Sequence, residues 1–266
     1  MFRPRATQPL CIAILLSIVS VTVSAQPPKL GKEQLDQLVS RIALYADPLL
    51  AQVLAASTHW EQIPEAAAWA EQHSYLKGEE LAAAIEADNL QWDPSVIALL
   101  PFPSVLQMMA QDIAWTQQLG TAVLDQKADV MEAVQRMRKK AKDFGYLQSN
   151  NYINVVNEGG YLEILPADPN LIYVPTYDPL IVFARPARGL AVGAAISFGP
   201  AVTITAAFAP WGWLHPAIYW PRHEVIFDRA VWGPVWGTRL RYVHPYVHPW
   251  VHRVGPRVES HHFRGR

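Results

Sequence analysis

The chain has 266 residues, of which 51% are hydrophobic and only 17% charged, so it has room for one sizeable core or two small ones. Its formal net charge of −1 hides a change of sign. Acidic residues exceed basic ones by about six between Gln26 and Gln148, whereas from Ser149 onward basic residues lead by about three and all are arginine. So mild and divided a charge argues against nucleic acid as a partner. A lysine-free, aromatic-rich second half suits an anionic envelope surface, because arginine grips phosphate as a fork and stacks on rings. The arginine usage of a GC-rich genome explains the bias equally well.

Residues 1–25 have the form of a secretory signal peptide. Arg3 and Arg5 precede the apolar run Leu10 to Val21, and Val23-Ser24-Ala25 supplies small residues for cleavage before Gln26. The run is short for a membrane-spanning helix, which favours removal over anchoring. Cys11, the only cysteine, leaves with this segment. The mature chain is then exported, periplasmic or envelope-associated, and free of disulfides and thiol chemistry.

From Lys32 to Phe144 the pattern is helical. Leu35, Leu38, Val39 and Ile42 form one apolar stripe. Asp47-Pro48, Ile63-Pro64 and Asp93-Pro94 then mark helix starts, with aspartate as the N-cap in two of them. The segments Leu49 to Ser57, Glu65 to His73, Glu79 to Ala87 and Ser95 to Leu100 are rich in good helix formers. Ser104 to Lys142 reads as one long or one kinked helix. Its last turn carries Arg138, Lys139, Lys140 and Lys142, which suit the negative end of the helix dipole, and Gly145 closes it.

At Asn150 the period changes. Tyr152 to Val156 and Tyr161 to Leu165 are expected strands around the turn Asn157-Glu158-Gly159-Gly160. Leu171 to Val174 and Leu180 to Phe183 are two further strand candidates, joined by an extended, proline-rich Val174 to Pro179. The fold class expected is α+β: an N-terminal bundle of short helices (26–148), a small antiparallel β-unit (149–186), an uncharged apolar segment (187–221) and an irregular aromatic, histidine- and proline-rich tail (222–266), partly disordered.

Several strings in this region carry a resemblance. They are Leu44-Tyr45-Ala46-Asp47-Pro48-Leu49-Leu50-Ala51-Gln52-Val53-Leu54, Trp92-Asp93-Pro94-Ser95-Val96, Trp115-Thr116-Gln117-Gln118-Leu119-Gly120, Pro166-Ala167-Asp168-Pro169 and Tyr173-Val174-Pro175-Thr176-Tyr177-Asp178-Pro179. Together they resemble the bacterial exported family known as domain of unknown function 3300, over roughly Leu35 to Phe183. That family often has proline where Ala46 stands, which loosens the turn before Asp47. The resemblance implies an exported envelope protein and supplies no activity, so no catalytic residue is carried over.

Between Arg188 and Arg222 no residue has a fixed charge. Gly189 to Ala209 is about long enough to cross a bilayer as a helix. Trp211, Trp213, Tyr219 and Trp220, with Arg222, crowd its far end as an interfacial belt would, and form the candidate membrane- or partner-binding set. Pro200 and the strand-like Val202-Thr203-Ile204-Thr205 favour instead a buried hairpin or a core-facing run.

Six of the ten tryptophans and seven of the nine histidines follow Pro210. A four-residue repeat, Tyr242-Val243-His244-Pro245, Tyr246-Val247-His248-Pro249, Trp250-Val251-His252-Arg253, puts His244, His248 and His252 on one face of an extended strand. These three are candidate ligands for weak transition-metal binding, alongside His261 and His262. The alternative is a proline-rich tail whose aromatics dock on the body or a partner.

Catalytic signatures are missing from the sequence. It has no phosphate loop and no serine elbow, and His223-Glu224 lacks the second histidine of a metalloprotease helix. Asp47, Asp93 and Asp112 read as helix caps, and His59, His73 and Tyr45 as ordinary partly buried groups. The sequence therefore favours a non-enzymatic envelope protein that engages membrane, cell wall or another exported protein. A periplasmic hydrolase with a carboxylate or histidine site assembled by the fold is the alternative.

Overall fold

The computed structural model describes residues 29–186, 195–234 and 242–243. The first seven helices are α1 (Lys32–Val39), α2 (Asp47–Ser57), α3 (Ile63–Gln72), α4 (Gly78–Asp88), α5 (Pro94–Ile97), α6 (Pro103–Gln111) and α7 (Ile113–Asp143). Proline occupies the first or second position of α2, α3, α5 and α6, where its missing N–H costs nothing and its fixed φ suits the helix.

α2 is buried along nearly its whole length, including the polar Gln52 and Ser57. A helix buried on nearly every side belongs at the centre of a fold, and α2 packs against α5, α7 and strands that follow the bundle. Its alanines let neighbours come close. The tightest approach is at Gly120 of α7, where an added Cβ would lie 2.0 Å from the Ser57 carbonyl oxygen. Only glycine fits there.

The expected helix Ser104 to Lys142 is interrupted twice. Asp112 leaves helical geometry and caps α7, its carboxylate accepting from the Trp115 N–H at 3.1 Å. Gln126 is also non-helical, at φ −148° and ψ 46°. Its side-chain amide accepts from the N–H of Leu30 and donates to the Leu30 carbonyl, at 2.9 and 3.4 Å. The kink thus seats the segment that leads into α1.

The hairpin has strands β1 (Ile153–Glu158) and β2 (Tyr161–Pro166) around a two-residue turn. Gly159 and Gly160 hold φ of +58° and +91°, the left-handed values such a turn requires. β3 (Leu171–Ile172) and β4 (Pro175–Tyr177) follow. Leu180 to Phe183 is not a strand: Pro179–Val182 forms a short helix, α8, capped by the Asp178 carboxylate accepting from Leu180 N–H at 2.8 Å. The Asp-Pro pair that starts α5 starts α8 too, and it overrides the β-branched composition.

From residue 195 the uncharged run contains no α-helix. β5 (Ile196–Phe198) pairs antiparallel with β4, and β6 (Val202–Thr203) with β3. A 3-10 turn, Ala206–Trp211, then buries Phe208 and Trp211. No described helix is long and apolar enough to cross a membrane. Beyond it, β7 (Ala217–Tyr219), β8 (Glu224–Phe227), β9 (Ala230–Pro234) and β10 (Tyr242–Val243) form an antiparallel sheet of order β10-β9-β8-β7. β7, β8 and β9 occupy a region with no strand expectation, because they are short and separated by prolines and charged turns, whereas β10 falls at the start of the repeat read as extended. The inner side chains of the sheet, Ile218, Val225, Phe227 and Trp232, join the bundle core.

Candidate functional site

The densest polar arrangement is buried where α2, α7, the hairpin and the sheet meet. Arg138 follows Val134 by four residues and precedes Ala141 by three, so it lies on the buried face of α7. Its side chain is fully buried. Nη1 contacts the Asp47 carboxylate at 2.6 Å. The remaining donors reach backbone carbonyls: Nε to Ala43 at 2.9 Å, Nη1 to Leu162 at 2.8 Å and Nη2 to Tyr45 at 2.9 Å. Trp220 donates its indole N–H to the other Asp47 oxygen at 2.8 Å, and its ring lies 4.8 Å from the guanidinium carbon. Both charges are therefore paired and hydrogen-bonded, as burial demands.

Asp47 is thus not the cap of α2. It is the first residue of that helix, and its carboxylate points into the core. Burial pushes its pKa up, opposed by the Arg138 charge and by hydrogen bonds from Trp220, Arg138 and Ile164. Burial also raises Tyr45 and lifts Tyr177 well above its usual range. The Tyr177 hydroxyl donates to the Ser40 carbonyl at 2.9 Å and accepts from Leu44 N–H at 3.3 Å. Glu163 is raised first by burial and then by Asp47 and Glu158, with Arg138 opposing. These groups position the fold. Asp47, Arg138 and Trp220 are enclosed in the core, whereas Glu163 is only partly buried.

β2 meets this cluster along its backbone edge. Gln135 accepts from the Leu162 N–H at 2.8 Å and donates to its carbonyl at 3.0 Å, while Asp47 accepts from Ile164 N–H at 3.4 Å. Side chains from two helices stand where a third strand would pair.

Asp93 and Asp112 do serve as caps. Asp93 accepts from Ser95 N–H at 2.9 Å and lies 3.1 Å from His59, while Asp112 pairs with Arg41 at 2.9 Å. His73 stacks on Trp69 with ring centroids 3.9 Å apart. His223 meets Glu132 at 2.7 Å. Among the described residues no three histidine, cysteine, aspartate or glutamate side chains group as metal ligands. Open grooves occur among the described residues. One of about 420 Å³ between Tyr146 to Asn150 and Ala195 to Phe198 has no charged lining residue. One of about 520 Å³ between α3 and α6 has only Glu71, and one of about 280 Å³ beside Leu30 has Lys29 and Asp125.

The five residues grouped as a membrane- or partner-binding set divide into two. Trp211, Trp213 and Trp220 are buried in the core. The Trp213 indole donates to the Ala98 carbonyl at 2.9 Å, and the Gly212 carbonyl accepts from Gln52 at 2.7 Å. Aromatic mass that suggested an interfacial belt is consumed in packing against the bundle. Tyr219 and Arg222 remain exposed, with the guanidinium carbon 5.8 Å from the phenol ring. Residues 1–25, expected to be a signal peptide, the start of the uncharged run at 189–194 and the tail histidines His244, His248, His252, His261 and His262 lie outside the described residues. Sequence reasoning missed Arg138. Its place in the apolar spacing of α7 was the available signal, obscured by the basic run around it.

A family model described as "Protein of unknown function (DUF3300)" matches residues 31–188. The "Uncharacterized protein YacH" of Escherichia coli (strain K12) is 32% identical over 69% of this chain and 36% of its own length. The chain thus aligns with little more than a third of that relative. No solved structure matches. The family match stops at residue 188, yet β3 and β4 find their strand partners after residue 195 and Asp47 binds Trp220.

Proposed function

This chain belongs to the DUF3300 family of proteins of unknown function, and on that premise we propose that it is an exported envelope protein that acts by binding rather than by catalysis. It engages the membrane, the cell wall or another exported protein. The observation that carries this reading is the outer face of the C-terminal sheet, where Tyr219, Val231 and the neighbouring Leu214 are 45%, 50% and 39% exposed. Trp211, Trp213, Trp220 and Trp232 are spent on the core, so among the described residues after 195 these three are the large apolar side chains left exposed for a partner. The carboxylates and histidines are supporting observations: Asp47, Asp93 and Asp112 bind backbone or arginine, and His223 binds Glu132. The form of residues 1–25 supports export.

The test is fractionation of the native protein with N-terminal sequencing. Processing before Gln26 and recovery with the periplasm or the envelope is the expected result. Washing the envelope pellet with high salt and then alkaline carbonate separates peripheral attachment, which either wash releases, from insertion, which survives both. An unprocessed chain in the cytoplasmic fraction would refute the proposal.

A further inference from the structure

We infer that the groove between Tyr146 to Asn150 and β5 binds a neutral glycan, a chain of N-acetylated hexoses, with the Tyr152 ring as its stacking platform. This rests on the envelope reading above, names the sugar chains of the wall as the partner, and uses a surface other than the C-terminal sheet.

Absence of charge sets this surface apart. Residues 144–157, 169–177 and 195–203 contain no Asp, Glu, Lys, Arg or His, in a chain that is 17% charged. Strand pairing brings the three segments together. β5 joins β4, β6 joins β3, and the groove of about 420 Å³ lies between β5 and the chain leading into β1. That volume falls within the range of about 300–1,000 Å³ that holds a small ligand. The aspartates bounding these segments are engaged elsewhere. Asp143 pairs with Lys139 at 3.3 Å, and the Asp168 and Asp178 carboxylates accept from the Asn170 and Leu180 N–H groups at 2.9 and 2.8 Å. Glu158 and Glu163 belong to the far end of the hairpin. Glu163 shares the outer face with Tyr152 but pairs with Val156, four residues along β1, which is about 13 Å away.

Three rings are fixed at the mouth of the groove. Tyr152 is 41% exposed. Its ring stacks on Phe198 with centroids 4.6 Å apart, and meets Tyr173 edge-on at 4.9 Å. Phe198 itself lines the groove. The backbone under Tyr152 is held by Asn150, whose side-chain oxygen accepts from the N–H groups of Tyr152 and Ile153 at 2.8 and 3.1 Å. The platform is therefore built before a ligand arrives, and little ordering entropy is lost on binding. An exposed, braced ring offers the flat apolar surface that the C–H face of a pyranose covers.

Amides and hydroxyls surround the rings. Gln148 and Asn150 are exposed and line the groove. Gln148 spends its NH2 on the Gly145 carbonyl at 3.0 Å, and Asn150 spends its oxygen on the turn. An acceptor on the first and a donor on the second are left, the pair that an acetamido group or two sugar hydroxyls require. A phosphate-bearing or acidic polymer would need cations, and the groove lining has none.

The experiment uses the full chain with two probes: insoluble peptidoglycan sacculi, read by sedimentation, and soluble chitotetraose, read by calorimetry and as a competitor. Binding to both is expected, unchanged between about 0.05 and 0.5 M salt because no ion pair forms. Tyr152→Ala should weaken it roughly tenfold and Gln148→Ala roughly threefold, whereas Tyr152→Phe should bind as the wild type does. Gln148 is exposed, so its loss is read without a change of fold. Binding to sacculi that chitotetraose fails to displace would assign the peptides of the wall in place of its sugars and overturn the inference. Wild-type binding by both Tyr152→Ala and Gln148→Ala, or loss of binding in high salt, would overturn it too. A protein that fractionates with the native envelope but ignores both probes also overturns it and leaves the broader reading standing.

Discussion

The helices from Lys32 to Asp143 and the segment from Ala206 to Trp232 fill the same core by different means. In the helical half the buried side chains are mostly alanine, valine, leucine and isoleucine, spread over every helix. In the second region they are mainly large rings, Phe208, Trp211, Trp213, Trp220, Phe227 and Trp232. Two of those rings also make a directional bond into the bundle, Trp213 to Ala98 and Trp220 to Asp47. Helices gain from close backbone approach and need small residues at their crossings, as at Gly120. A short-stranded sheet buries little through its backbone and relies on a few wide, anchored side chains. The bundle is therefore held by many small contributions, and the sheet by a few that can each be removed singly.

Removing the sheet altogether is the strongest test of that contrast. A chain ending at Arg188 keeps the whole matched family region but strips the partners of β3 and β4 and uncovers Asp47. It should lose cooperative unfolding, as read by calorimetry. A sharp transition near the full-length Tm would show that the bundle does not depend on the sheet. Next in size is Arg138→Met, which leaves a buried carboxylate unpaired and should cost about 3–5 kcal/mol in denaturant unfolding. A loss below about 1 kcal/mol would mean that water reaches Asp47. Gly120→Ala tests the helical half alone. Its Cβ meets backbone, which cannot step aside as a side chain can, so a cost of about 3 kcal/mol is expected.

Trp220→Phe is milder. It keeps an aromatic ring beside Arg138 while deleting the N–H to Asp47 and part of the buried indole, for about 2 kcal/mol. A similar loss in Trp220→Leu would show that the hydrogen bond, not the ring, is the anchor. The smallest effect concerns Glu163. A carboxyl whose folded pKa lies above its unfolded one binds its proton more tightly when folded, so stability falls as pH rises through the folded value. Glu163→Gln should therefore raise Tm at neutral pH and leave it unchanged under acid conditions where the wild-type carboxyl is already protonated. An equal shift at both pH values would place the effect elsewhere.

The same contrast explains what could be read from the sequence. Helix starts were legible because Asp-Pro and proline signals act locally, through φ and one missing N–H. The hairpin was legible because Gly159-Gly160 permits little else. Leu180 to Phe183 reads as a strand although Asp178-Pro179 carries the signal of Asp93-Pro94, because β-branched residues follow the pair and mask the helix start of α8. The sheet strands were too short and irregular for period to reveal. Its tryptophans looked like a surface belt because composition does not tell which side of a ring is covered. Arg138 and Trp220 meet across more than eighty residues of sequence, and no local pattern encodes that distance.

The treatment of β2 also bears on how this molecule behaves in a crowded compartment. A two-stranded ribbon ordinarily has two free flanks, each a template on which another chain can polymerise. Gln135, Arg138 and Asp47 occupy one flank at Leu162 and Ile164. On the other, Ser149 bonds the N–H of Val155 at 2.8 Å and Asn150 N–H donates to the Ile153 carbonyl at 2.9 Å. Recruiting this ribbon into a fibril would first require dislodging α7, so its safety from self-association is tied to the stability of the longest helix.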